Sequence, residues 1–439
     1  MSDAMQPPTT DSFPIAGDGF AFSRDPVAAM ERWASHGDLV RLKVPGMTMY
    51  QVTEPELIER ILVDEFDRFS IGPSQRETFS GVEDHAVTTN TGDRWKRLRR
   101  ALHPAFRRDR VQAYGDRMAA TTAAFVDEWS DGESLDLRDE CRRLTVNVLA
   151  DALLDVDARG DEGLAMAAAD ALVDRANFGR PGQLLPDWVP TPTDRRFART
   201  VEELDDYVAG IVETRRVDDS GDRTDVCSIL LAAHEAGELT LDEVRHNLVA
   251  LLLAGHDSPS LALVHAVRLL DDHPDVQAGL RQEYETVVDG AYPAGEDYDD
   301  LERTRNVVSE TLRLFPPTTG VNRQATEALT LGGFEIPAGA QFLIPQWVPH
   351  RDPRWWEEPA TFDPARWERD VDRPRFAYFP FSGGPRACVG DEFSRRELVL
   401  ALATIVGRVD VDVTMDGPLS FTPSIQLRPE TDITATVTH

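Results

Sequence analysis

A mainly α-helical fold with small β-sheets, gathered into one large domain, is what this sequence predicts. Apolar residues recur at helical spacing along most of the 439 residues, the mark of helices with one buried face. Strand signals are short and fall toward the two ends of the chain. The length alone would allow two or three domains. No Gly/Ser-rich or Pro-rich linker, internal repeat or low-complexity run divides it, however. A polar segment over 1–24 is expected to precede a single domain over 25–439.

In chain order, helices are expected over 26–35, 93–106, 110–129, 140–154, 194–215, 241–270, 274–288, 301–314 and 392–406. The stretch 248–270 is the most apolar of them. Strands 39–44 and 49–52 flank the turn Pro45-Gly46 and form a hairpin. Strands 328–331, 334–336 and 341–344 are separated by Gly332-Gly333 and Pro337-Ala338-Gly339 and form a second small sheet. Loops are expected over 70–90, with Gly72, Pro73 and Gly81, and over 177–192, with Gly179, Pro181 and Pro186. The residues after Cys388 read as a helix and short strands.

The formal net charge is −31, from 77 acidic and 46 basic residues, and Lys43 and Lys96 are the only lysines. Such a dense carboxylate surface resembles that of proteins from salt-accumulating halophiles, where salt screens the self-repulsion. Nucleic acid and anionic membrane are excluded as general partners. Of three cysteines, Cys141 and Cys227 lie in helical segments and read as small buried apolar residues. No disulfide framework is indicated, which fits a reducing cytoplasm. Residues 1–22 carry neither an apolar signal core nor a spanning helix, so a soluble protein without a membrane anchor is expected.

The most informative stretch is Phe381-Ser-Gly-Gly-Pro-Arg386-Ala-Cys388-Val-Gly390. It sets one cysteine in a glycine-rich loop, with an arginine two residues before it and a helix after it. A thiolate there would sit over the positive end of the helix dipole. Glycines let backbone N–H groups close round the sulfur and stabilise negative charge. Those are the conditions under which a thiolate binds iron. A buried structural cysteine is the alternative for this motif taken alone. The pattern F-x-x-G-x-R-x-C-x-G resembles the haem-binding loop of the cytochrome P-450 family at every fixed position. The resemblance covers roughly residue 25 to the C-terminus. It implies that family's mostly α fold, with haem b between a long central helix and the cysteine loop. It also implies Cys388 as the metal ligand, with Phe381, Gly384, Arg386 and Gly390 as haem contacts.

Further motifs agree. Glu310-Thr-Leu-Arg313 lies on a helix, three residues apart on one face. It resembles the family's E-x-x-R, which pairs with an arginine from a segment matched here by Pro364-Ala-Arg366-Trp367. A buried structural triad of Glu310, Arg313 and Arg366 is implied. Ala254-Gly255-His256-Asp257-Ser258 resembles the family's oxygen-site motif. Ala254 and Gly255 are then expected to leave room for oxygen, and Asp257 and Ser258 to relay protons. The chain departs from the family with serine in place of threonine, and with Pro259. Proline supplies no N–H and clashes with the carbonyl of Gly255, so a kink is expected. The alternative for Asp257 is a helix-interior acid neutralised by an arginine. Trp95 and Arg99 resemble the W-x-x-x-R that binds haem propionates, and Arg386 and Arg323 match other propionate-binding positions.

From Arg94 to Arg110 there are eight basic residues and one acid, Asp109. The resemblance implies a docking face here for a ferredoxin, reduced by a ferredoxin reductase. No G-x-G-x-x-G or P-loop pattern occurs, so electrons are expected from separate proteins. The implied activity is a monooxygenase that inserts one atom of O2 into an apolar substrate, a long-chain lipid, isoprenoid or carotenoid. Thr318, Thr319 and Val321 are expected to line the pocket with Ala254, and the loops at 70–90 and 177–192 to cover its entrance. A monomer is expected. Two alternatives stay open: a peroxide-using peroxygenase or hydroperoxide isomerase, and a non-catalytic haem-thiolate gas-binding protein. The charge generates its own test. Dialysis to low salt is expected to release structure or haem, and an unchanged circular dichroism spectrum in salt-free buffer contradicts a salt-adapted surface.

Overall fold

A computed structural model describes residues 6–11, 17–44, 47–81, 85–179, 191–217 and 225–439. The first elements are α1 (Gly17–Arg24), α2 (Pro26–Ala34) and the strands β1 (Leu39–Val44) and β2 (Met47–Val52). Then come α3 (Pro55–Glu59), β3 (Phe69–Ser70), α4 (Pro73–Thr78), α5 (Gly92–Leu102), α6 (Arg108–Val126) and β4 (Ser134–Asp136). The helical middle is α7 (Leu137–Leu154), α8 (Glu162–Arg175), α9 (Pro192–Val217), α10 (Val226–Glu235), α11 (Leu241–Asp271), α12 (Pro274–Val287) and α13 (Glu302–Leu314). The remainder is β5 (Val321–Ala325), β6 (Leu329–Leu331), β7 (Phe334–Ile336), β8 (Gln341–Ile344), α14 (Asp391–Arg408), β9 (Asp410–Met415) and β10 (Ile433–Thr438).

The acid-rich composition is used locally to start helices. Asp25, Asp136 and Asp225 each accept a backbone N–H at the first turn of α2, α7 and α10. Thr240 and Glu243 form a reciprocal capping box on α11. That 31-residue helix packs most extensively on α7 and also meets α9, α10, α13 and α14. It is long and apolar enough to cross a membrane, yet 78% of its most apolar window is buried within the fold. Its composition therefore reports a core position.

The two expected small sheets are not separate. β1 and β2 pair antiparallel, Leu39 opposite Val52; the turn residues Pro45 and Gly46 lie outside the described residues. β2 then pairs parallel with β8, Tyr50 opposite Phe342, in a five-stranded sheet ordered β1-β2-β8-β5-β3. β6 and β7 pair alone, and β4-β10-β9 form a third sheet. The reason is burial: three of the four β8 residues are buried, so its backbone needs partners on both edges. The expected loop at 70–90 contains α4, and the part of the 177–192 loop over 180–190 lies outside the described residues. The expected lead segment is also partly packed. Asp18 on α1 accepts from Trp33 Nε1 at 2.9 Å and from the Lys43 N–H at 2.6 Å, and Phe22 is buried.

Glu310, Arg313 and Arg366 come together in the interior. Arg313 donates to both Glu310 oxygens at 2.8 and 2.9 Å, and Arg366 Nε donates to Oε1 at 2.9 Å. Trp367 Nε1 adds a bond at 3.1 Å, and the Asp363 N–H another at 3.1 Å. The remaining guanidinium hydrogens meet the carbonyls of His350, Pro359, Thr361 and Glu357. The network thus ties α13 to the irregular chain over 350–367. Such a pair is stable only while complete, since a lone buried charge has no water to turn to. Glu310→Ala is expected to cost about 3–5 kcal/mol of stability. A thermal midpoint equal to the parent's contradicts this account.

Candidate active site

The path of residues 379–390 is set by backbone geometry. Gln346 Nε2 donates to the carbonyls of Phe379 and Pro380 at 2.9 and 3.0 Å, and His350 Nε2 receives the Phe379 N–H at 2.9 Å. Ser382 and Gly384 turn the chain through positive φ, 64° and 69°. Gly384 is required twice over, because a Cβ there would lie 1.9 Å from the Leu62 carbonyl oxygen. The turn returns the Cys388 N–H to the Phe381 carbonyl at 2.9 Å. Cys388 then stands just before α14.

The cysteine opens into a cavity of about 460 Å³ between this loop and α11. Its side chain is accessible from the cavity but densely enclosed by protein. Enclosure pushes the thiol pKa up, against the Gly390 backbone N–H and the charges of Arg99 and Arg395. A thiolate here needs a bound cation to be the stable form. Phe381, Arg386 and Gly390 line the cavity, whereas Gly384, also expected there, is not among its lining residues and packs against the Leu62 carbonyl. Arg395 stacks on the Phe381 ring at 4.6 Å.

Three arginines share this cavity: Arg99, Arg323 and Arg386. Burial lowers the pKa of all three, to about 10 for Arg323 and Arg386. Arg323 donates to the Asn322 carbonyl at 2.8 Å and Arg386 to that of Asn90 at 3.1 Å, and Arg386 stacks on Trp95 at 4.4 Å. Among the described residues no carboxylate pairs with any of them. In a chain of net charge −31, one buried and two half-buried cations without carboxylates form a receptor for an anionic group. The donor set, one sulfur and clustered guanidinium groups around an apolar cavity, fits haem with its two propionates.

The α11 residues divide between two environments. Ala254, Gly255, Ser258 and Pro259 line the cavity. Asp257 does not. It is 1% exposed and turned into a buried ion network, with Arg428 at 2.8 Å and Arg142 at 3.4 Å. Both arginines also hold Asp170, at 2.6 and 2.8 Å. Burial pushes the Asp257 carboxyl up, but Arg428, His256 and Arg142 outweigh it and hold it below the usual carboxylate range. Asp257 thus has the arginine partners named in the alternative reading and stands off the cavity wall. Gly255 has a second role beside giving space. A Cβ there would meet Leu149 of α7 at 2.7 Å, so the glycine serves close packing of α7 on α11 as well as space. α11 continues through Pro259 rather than ending. The carbonyls of His256 and Asp257 also accept side-chain hydroxyls, Thr145 Oγ1 at 2.8 Å and Ser260 Oγ at 2.7 Å. Thr318 and Val321 line the cavity as expected, but Thr319 turns away and donates to the Ser424 carbonyl at 2.5 Å.

The basic island is also divided. Arg94 and Arg97 bind Glu243 of α11, which is 2% exposed, at 3.1 and 2.6 Å. These bonds, Arg97 first, hold the Glu243 pKa down to about 2. Arg99 faces the cavity. Lys96, Arg100, Arg107 and Arg108 are exposed.

Comparison with known proteins agrees with this geometry. The family model described as Cytochrome P-450 matches residues 7–434, and the chain belongs to that family. It is 32% identical to cyclooctatin synthase of Streptomyces melanosporofaciens over 93% of this chain and 92% of that one. It is 29% identical to pentalenene oxygenase of Streptomyces avermitilis, over 92% and 91%. Among solved structures, a cytochrome P-450DA haem domain superposes with a TM-score of 0.87 at 25% identity, covering 99% of this chain and 97% of that one. The protein is thus a haem monooxygenase, an oxidoreductase that uses O2 on an apolar substrate with a haem carried on a cysteine thiolate.

Proposed function

We propose that Cys388 is the axial thiolate and that Trp95, Arg99, Arg323 and Arg386 hold the haem propionates. The proposed substrate is a terpenoid, oxidised with electrons from a ferredoxin and its reductase. The observation that carries this is one cavity containing the sulfur, three arginines without carboxylate partners among the described residues, and the serine of α11. Haem on a thiolate supplies activation of O2, with one oxygen atom inserted and the other leaving as water. The protein supplies the rest. Apolar walls, including Phe79, Leu149, Leu251 and Ile425, exclude water and take a hydrocarbon skeleton. Ser258 presents the hydroxyl of α11 to the cavity and can hold or pass a proton there. Asp257 acts as a positioning residue, anchoring that turn of α11 to Arg142 and Arg428. The terpenoid class rests on the names of relatives, cyclooctatin synthase and pentalenene oxygenase.

The exposed Lys96, Arg100, Arg107 and Arg108 offer an acidic ferredoxin a basic face in an otherwise acidic protein. The test is product formation from cyclic terpene hydrocarbons with ferredoxin, reductase and O2. Conversion is expected to require all three. The double change Lys96→Glu and Arg100→Glu is expected to slow reduction about tenfold at low salt, with a smaller effect at high salt. Conversion with peroxide alone, unaffected by the donor, overturns the monooxygenase cycle in favour of a peroxygenase. Haem that never turns over with either overturns both.

A further inference from the structure

We propose that His85 and His246 form a pH-sensitive latch that fastens residues 85–90 to α11 and releases them on acidification; the inference rests on the cavity being the substrate site and adds its regulation. Residues 85–90 lead into α5 and form part of the cavity wall. Val87 and Thr88 line the cavity, and the Asn90 carbonyl accepts from Arg386 Nη2 at 3.1 Å. The start of the segment is tied to two consecutive residues of α11. The His85 N–H donates to His246 Nδ1 at 3.3 Å, and the Val87 N–H to Asn247 Oδ1 at 3.0 Å. Asn247 Nδ2 also reaches the His85 carbonyl at 3.4 Å. From α5, Arg94 Nη2 donates to His85 Nδ1. The two imidazole rings lie 4.9 Å apart.

Both rings serve as acceptors at Nδ1, and an imidazolium has no acceptor nitrogen. A proton on His246 Nδ1 would face the His85 N–H, donor against donor. A proton on His85 Nδ1 would face the Arg94 guanidinium, cation against cation. The latch therefore holds only while both rings are neutral. The surrounding charges are mixed. On α11, Asp242 and Arg245 flank His246, and Arg245 pairs with Asp205 of α9. Arg94 is shared with Glu243 at 3.1 Å. His246 also lines a second cavity of about 410 Å³, with Arg175 of α8 and Asp194, Glu202 and Asp205 of α9, which gives water a route to the ring. Burial first, then His85, hold the His246 pKa below the usual histidine value; Arg245 adds to this, while Asp205 and Asp242 oppose it. The bond to His85 is thus present above that pKa and lost as pH falls through it. Its loss frees the cavity wall at Val87 and Thr88 from the neighbouring turn of α11.

The test is amide hydrogen exchange of the haem-loaded protein, read by mass spectrometry on the peptide carrying residues 85–90. Rates are divided by the intrinsic rate at each pH, and α11 over 260–270 serves as the internal control. Protection of the segment is expected to fall about tenfold between about pH 8 and about pH 5, the effect of about one hydrogen bond, while the control is unchanged. In the double variant His85→Asn and His246→Asn each side chain keeps an acceptor oxygen near the place of Nδ1 but cannot take up a proton. There the pH response is expected to vanish with protection kept. In His246→Leu, which has no acceptor, protection is expected to be low at both pH values. An unchanged haem spectrum certifies the fold of each variant. Parent protection that does not fall across this range, a fall that persists in the double variant, or full protection in His246→Leu overturns the inference. Exchange reads the latch with no substrate present, so failure of the substrate-site reading would show separately, as no spectral response to any terpene.

Discussion

The site depends on how the backbone turns between Phe379 and Cys388. Positive φ at Ser382 and Gly384, and the approach of Gly384 to the Leu62 carbonyl, leave one route for the chain. That route returns the Cys388 N–H to Phe381 and points the sulfur into the cavity at the start of α14. The support beneath is polar: Gln346 and His350 hold the loop by its backbone, and the Glu310 network holds the chain that carries His350. Two layers of satisfied hydrogen bonds therefore lie between α13 and the sulfur, which is how a reactive atom is kept in one place.

Electrostatics separate this site from the rest of the molecule. Many other arginines meet carboxylates, as in Arg94 and Arg97 with Glu243 or Arg428 and Arg142 with Asp257. At the cavity Arg323 and Arg386 have carbonyls or an aromatic face, and no carboxylate pairs with either of them or with Arg99 among the described residues. An acidic protein that gathers three such cations around one cavity is built for a ligand that brings its own carboxylates.

Much of this was legible in the sequence. The apolar 241–270 helix follows from local pattern, and the cysteine loop and the Glu310–Arg313–Arg366 triad from resemblance to the family's motifs. Side-chain direction on α11 did not. Residues 254 and 258 share a helix face, while 257 is rotated by about 100° from 258. Which face meets the cavity depends on Arg142 and Arg428, far away in the chain. Arg323 was expected at a propionate from the resemblance alone, and its burial beside Arg386 comes from the pairing of β5 with β8, which no local signal reports. The joining of β2 to β8 is of the same kind. Helices α1 and α10 were missed because they are short, and tertiary burial rather than intrinsic pattern fixes them; the 14-residue α8 was missed as well.

The central claim is a sulfur–iron bond made by Cys388. The direct measurement is the absorbance spectrum of the reduced carbon monoxide complex, recorded for the parent and for Cys388→Ser. The account predicts a strongly red-shifted Soret band in the parent that is lost in the variant while circular dichroism is kept. A variant that retains the shifted band, or a parent that takes up no porphyrin, contradicts it.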